Sequence, residues 1–240
     1  MVAKTPLVVR RYEVRKNAIL VVKKAVFWIC IFFSYNINSR PSLLEHKTSV
    51  MTWLEQSLAF YASYHNEERN KYIHFMFVWP IFFTAQVFLH NAGSLPNGFA
   101  DIIPGFHLTW CALLSLFYGI YYFLIEQPGL AGPLASGLVT AGFFATKTLN
   151  EANPEFWKLA LGLHIFSWAA QIFGHQVFEQ RSPAFLDNIV QALVMAPLFV
   201  VLEILFLFGY KEQLHKKVSS IAKQNIAHFR LAQANAKKGK

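Results

Sequence analysis

Long apolar runs with at most one charge in each constrain this chain more than any other feature. Residues 73–89, 108–125, 134–149, 156–173 and 189–210 are five such runs, of sixteen to twenty-two residues, joined by short polar or Gly/Pro-containing connections. A helix rises 1.5 Å per residue, so about 20 apolar residues cross the ~30 Å hydrocarbon core of a bilayer. The pattern predicts an all-α fold: an integral membrane helical bundle with four to five apolar segments. Charged residues make up only 15% of the chain, against about 25% in soluble domains.

The formal charge of +9 is unevenly placed. Residues 1–50 carry +7, residues 51–210 carry −5, and residues 211–240 carry +7. Basic ends flanking an apolar body predict cytoplasmic, lipid-facing termini. If both termini share one side, the number of full spans is even. Residues 134–149, short and rich in Gly and Ala, are then the run expected not to cross, with a re-entrant pair as the alternative. No nucleic-acid module is present, so nucleic acid is not an expected partner. Cys30 and Cys111 both lie in apolar runs with no CxxC, which points to reduced, packed thiols.

Three regions follow. Residues 1–50 form a basic N-terminal extension whose eleven-residue apolar run, 25–35, is too short to span. An interfacial anchor and an extension outside the folded part are both consistent with it. Residues 51–210 form the membrane-embedded domain. Residues 211–240 read as a charged helix on the membrane surface that runs out into disorder.

Polar groups inside apolar helices are costly, which makes them informative. His164, Trp168, Gln171 and His175 recur at i, i+4, i+7 and i+11, one face of a helix. They form either a stripe of hydrogen bonds to neighbouring helices or the wall of a site. His164 and His175 would lie about 16 Å apart on a straight helix, so they cannot share one ion. His175, next to the bend that Gly174 permits, is the expected ligand, and His164 the support. His65 and His74 would point to opposite sides of one continuous helix. With a break at Asn66, His65 folds back toward His74, and Tyr64, Asn66 and Asn70 gather beside them. Imidazole-rich sites with open positions suit iron or zinc. Glu179, one turn beyond His175, is the nearest acid for a two-histidine, one-carboxylate set, unless it pairs with Arg181. Asp187, Asn188 and Gln191 either cap the last helix or complete the site around His175. Glu203, inside the last run, requires a partner, a proton or a polar cavity. No GxSxG, P-loop or GxGxxG occurs, which excludes the common serine hydrolase, nucleotide and Rossmann signatures.

These residues lie in two stretches that resemble the eukaryotic 2-hydroxy fatty acid dioxygenases. One is Phe60-Tyr-Ala-Ser-Tyr-His-Asn-Glu-Glu-Arg-Asn-Lys-Tyr-Ile-His74. The other is Trp168-Ala-Ala-Gln-Ile-Phe-Gly-His-Gln-Val-Phe-Glu-Gln-Arg-Ser-Pro-Ala-Phe-Leu-Asp-Asn188, continuing through Gln191-Ala-Leu-Val-Met-Ala-Pro197. The resemblance covers residues 51–210. It implies a multi-pass enzyme of the endoplasmic reticulum membrane, dependent on Fe(II), that uses O2 to convert a 2-hydroxy fatty acid to a fatty acid one carbon shorter in phytosphingosine breakdown. The family's motif histidines fall on His65, His74 and His175, here catalytic and metal-binding. Tyr64, Asn70, Gln171, Glu179, Asp187 and Asn188 match the surrounding pattern, and His164 lies outside it. The contrasting reading is a membrane lipid-binding or transport protein with structural histidines. A diiron desaturase or hydroxylase would need HxxH or HxxxH pairs, which the chain lacks.

Overall fold

The computed structural model describes residues 51–96, 108–183, 186 and 189–238, with the side chains of 189–191 and 237–238 left aside. Among them every regular element is helical: α1 (Trp53–Tyr64), α2 (Glu68–Asn91), α3 (Trp110–Ile125), α4 (Ala131–Ala152), α5 (Phe156–Phe173), a π-helical turn (Gly174–Glu179), α6 (Ile189–Leu207) and α7 (Glu212–Lys238). The expectations for residues 1–50 and for Asp187 and Asn188 lie outside the described residues.

Local chemistry sets several of the boundaries. Thr52 and Glu55 form a reciprocal capping box at the start of α1 (3.2 and 2.9 Å). Thr109 caps α3 through the amide of Ala112 (3.1 Å). α2 starts two residues after the expected break at Asn66. Its cap is Glu67, whose carboxylate accepts from the amides of Arg69 and Asn70.

α2 is the central element and packs along α5. The buried core gathers Leu58 and Tyr61 of α1, Phe82 of α2, Tyr122 of α3, and Leu198 and Phe199 of α6. α7 folds back after a turn in which Gly209 (φ 83°) and Lys211 (φ 42°) are left-handed, and it runs parallel to α1. Lys217 Nζ meets Glu55 Oε1 at 2.8 Å, and Asn225 Nδ2 donates to Ser63 Oγ at 3.1 Å. Both pairs are offset by 162 residues, so one register holds over two turns. The α6–α7 turn is pinned by Glu126, which is buried and accepts from Tyr210 Oη (2.9 Å), Lys211 Nζ (2.5 Å) and the Gly132 amide (3.1 Å).

The five apolar runs all fall in helices, but the lengths differ from four or five clear spans. Among the described residues, α2 is the one helix long and apolar enough to cross a membrane alone. Residues 192–207 and 212–236 qualify together, bent by 116°. α3 is apolar but has 16 residues, about 24 Å. The run at 134–149 belongs to a 22-residue helix, α4, longer than expected. Its Gly, Thr and Ser content lowers its apolarity while its backbone still closes into regular turns.

Candidate metal centre

His65 ends α1 in a non-helical conformation (φ −133°, ψ 61°), and α2 starts three residues later. The break lets His65 and His74 face each other with ring centroids 4.2 Å apart. His175, on the π-helical turn after α5, closes the triangle at 4.7 Å from His65 and 4.9 Å from His74. Each is only 3% exposed. One nitrogen from each ring lies within 4.8 Å of the others.

The donor chemistry fits a metal. His65 Nδ1 lies 2.8 Å from the carbonyl oxygen of Tyr61, and His74 Nδ1 lies 2.8 Å from that of Asn70. A carbonyl only accepts, so both Nδ1 atoms carry the hydrogen and both Nε2 atoms present lone pairs. Each histidine is thus anchored to the carbonyl four residues before it. His175 Nδ1 is buried without a partner. Three nitrogens at about 2.1 Å around a tetrahedral ion would lie about 3.4 Å apart, so small side-chain rotations suffice to bring these donors onto one ion.

The protonation states agree with that role. Burial, with the neighbouring His74 and His175, holds His65 well below the usual imidazole value. Burial, followed by His74 and Arg181, pushes His175 down to about 3. Both are therefore neutral at pH 7. The unfolded chain protonates these imidazoles near 6.5, so between the folded and unfolded values it binds more protons and stability rises with pH. The thermal midpoint of metal-free protein in detergent should climb from pH 5 to 6.5 and level off above it. The expected slope is about 1.4 kcal/mol per pH unit for each histidine. A midpoint independent of pH over that window would contradict the assignment.

Supporting contacts come from both sequence neighbours and distant parts of the chain. Tyr61 stacks on His65 (3.8 Å, 13°) and lies against Phe199 of α6 (3.7 Å). Tyr61 carries no sequence signal of this role beyond its i, i+4 spacing to His65, which repeats that of Asn70 to His74. Asn70 is fully buried, and its amide donates to the carbonyl of Tyr64 (3.3 Å) and to Glu179 (3.4 Å). Arg181 lies over the Tyr64 ring at 3.6 Å and the Phe229 ring of α7 at 4.2 Å. It also donates to the carbonyl of Ser63 (3.1 Å), which ties the π-helical turn to the end of α1.

Two expectations change. Glu179 does not join the histidines as a carboxylate ligand among the described residues. Its carboxylate accepts from the amides of Asn66 (3.2 Å) and Glu67 (3.0 Å) and from Asn70, so it holds the backbone of the α1–α2 break. The expected Glu179–Arg181 pairing gives way to the aromatic sandwich around Arg181. His164 stands apart from the cluster and has both ring nitrogens engaged. Trp168 Nε1 donates to His164 Nε2 (3.0 Å), and His164 Nδ1 meets Thr84 Oγ1 (2.7 Å). Because indole N–H only donates, Nε2 is the acceptor and Nδ1 carries the hydrogen.

His164, Trp168, Gln171 and His175 all line one cavity of about 270 Å³. Val78, Ile81 and Phe82 of α2 and Ala196 and Pro197 of α6 form much of its remaining, apolar wall. Gly174 allows the π-helical turn to approach α2. A Cβ there would lie 2.5 Å from Asn70 Oδ1 and 3.2 Å from Ile73 Cδ1. Asn70 is held by two hydrogen bonds and cannot yield freely. Gly174→Ala should therefore push His175 away from His74 and weaken metal binding by 10- to 100-fold, the range for lost supporting contacts. Metal titration of the purified variant measures this, and unchanged affinity would count against the close approach.

Residues 51–208 match the family model described as 2-hydroxy-palmitic acid dioxygenase Mpo1-like. The chain is also 36% identical over 161 residues to the 2-hydroxy-palmitic acid dioxygenase MPO1 of Saccharomyces cerevisiae, covering 67% of this chain and 84% of that protein. No solved structure matches. With 158 of its 240 residues, 51 through 208, inside that family model, the chain belongs to the Mpo1-like 2-hydroxy-palmitic acid dioxygenase family.

Proposed function

We propose that this protein is an Fe(II)-dependent dioxygenase that shortens 2-hydroxy fatty acids by one carbon, using O2, within a membrane of the endoplasmic reticulum and in phytosphingosine breakdown. The observation that carries the reading is the buried cluster of His65, His74 and His175 opening onto a largely apolar cavity. These three would hold the metal. Bound iron would supply open positions at which the substrate carboxylate, its 2-hydroxyl and O2 can meet.

The protein's own residues supply the rest. Tyr61 and Asn70 fix two imidazoles in the tautomer that offers Nε2 inward. Gln171, one turn before His175 and 9% exposed, brings an amide to the wall where a polar head would lie. Val78, Ile81, Phe82 and Ile172 line the cavity with apolar surface and keep water from the acyl chain. The reaction balances without an organic cosubstrate. The bond between the carboxyl carbon and C2 breaks, and the hydroxy acid gives up four electrons to O2. The products are the shorter acid, CO2 and water.

A lipid setting is supported by the exposed apolar side chains of α3 and α5, among them Leu116, Ile120 and Phe123, and Leu159, Ile165 and Phe166. Patches of that size in water would drive association. The basic terminal regions favour a cytoplasmic position for both ends. Purified, iron-loaded protein should consume O2 with 2-hydroxypalmitate and release a fifteen-carbon acid, read by an oxygen electrode and mass spectrometry. Stoichiometric iron without O2 uptake would overturn the reading and favour a binding or transport role.

A further inference from the structure

We infer that the far end of the histidine-lined cavity is a chain-length gauge, built by Ala85 of α2 and Leu114 of α3 against the indole of Trp168; this rests on the function proposed above.

α2 and α5 run antiparallel across the cavity in one register. His74 faces His175 (4.9 Å) at one end, and Thr84 faces His164 (2.7 Å) at the other. On α2 the lining residues are His74, Val78, Ile81, Phe82 and Ala85, and on α5 and its π-helical extension they include His175, Gln171, Trp168 and His164. Each row spans eleven residues, about 16 Å. An extended alkyl chain advances about 1.3 Å per carbon, given C–C bonds near 1.5 Å, so the slot takes roughly a dozen carbons beyond the head group.

The indole at the far end is held in place by hydrogen bonds. Trp168 is tethered to His164, His164 to Thr84, and the Thr84 hydroxyl to the carbonyls of Pro80 (2.7 Å) and Ile81 (3.0 Å). This chain of hydrogen bonds runs from α5 into α2 and restrains the indole. It accounts for a polar His164 in an apolar helix remote from the metal-ligating cluster. Ala85, the smallest side chain at this level, leaves the room that sets the limit.

The test compares O2 uptake by wild type, Ala85→Leu, Ala85→Phe and Leu114→Phe with saturated 2-hydroxy acids of 8 to 20 carbons (about the range the slot brackets). Displacement of a fluorescent fatty acid by straight-chain acids without the hydroxyl gives a binding readout independent of turnover. Bound iron and the thermal midpoint confirm that each variant folds. Each methylene that no longer fits should lower kcat/KM about fourfold. The optimum should therefore move to shorter acids, further for Ala85→Phe than for Ala85→Leu, with the loss growing with chain length. Leu114→Phe should shift it in the same direction from the opposite helix. Folded, iron-bound variants with the wild-type length profile in both readouts would overturn the gauge and leave the proposed reaction standing. Wild type inactive at every length would overturn the reaction and the gauge together.

Discussion

His175→Ala should release the metal and abolish O2 consumption. The mutation removes one of three nitrogens that lie within 4.8 Å of one another, leaving two where open-site metals take three or more protein ligands. Loss of more than a thousandfold in affinity is expected, on the order of 4 kcal/mol or more. The fold should survive, because the other contacts of the π-helical turn, Arg181 on Tyr64 and Glu179 on the α1–α2 break, do not pass through the imidazole. Metal content, measured beside circular dichroism, separates the two effects. His65→Ala and His74→Ala should behave likewise. Full metal occupancy in folded His175→Ala would remove this histidine from the ligand set.

Glu179→Ala should cost more stability than any other single change near the site, and Glu179→Gln much less. The carboxylate satisfies two backbone amides and the Asn70 side chain at the point where His65 is turned toward His74. Hydrogen bonds to charged groups are each worth about 1.5–3 kcal/mol, and stranded donors add a desolvation penalty. A loss of roughly 3 kcal/mol is expected for Ala, after allowing for water reaching the partly exposed amides. The glutamine keeps one acceptor oxygen, so it should bind stoichiometric metal with about tenfold weaker affinity. Metal titration discriminates the roles. If Glu179→Gln lost its metal as completely as His175→Ala, Glu179 would be a ligand and not the brace for the break.

Much of this arrangement is local and therefore legible in the residues themselves. Helical periodicity placed His164, Trp168, Gln171 and His175 on one face, and all four line the cavity. The break expected at Asn66 turns His65 back toward His74, and α2 is capped one residue later at Glu67. About 16 Å of helix separates His164 from His175, and the nitrogens of His164 are engaged elsewhere. The spacing of Tyr61 to His65 was present too, but a tyrosine in an amphipathic helix has no sequence signal that separates a ring brace from ordinary core.

The rest depends on partners distant in the chain. Glu179 looked like a ligand because it lies one helical turn from His175. Only the packing of the π-helical turn against the start of α2 brings it to the amides of Asn66 and Glu67, 113 and 112 residues away. Arg181 likewise meets Tyr64 at the end of α1 and Phe229 on α7 only through the packing of separate segments. The apolar runs show a related limit. Composition determined that they would be helical. Among the described residues α2 is the one helix long and apolar enough to cross by itself, while the turn at Gly209 and Lys211, pinned by Glu126, sets α6 and α7 at 116°. Short-range patterns marked the helices, and the break at Asn66 with the family motif marked the three histidines; the tertiary contacts, which no single segment encodes, chose which polar side chain faces the cavity and which braces the backbone around it.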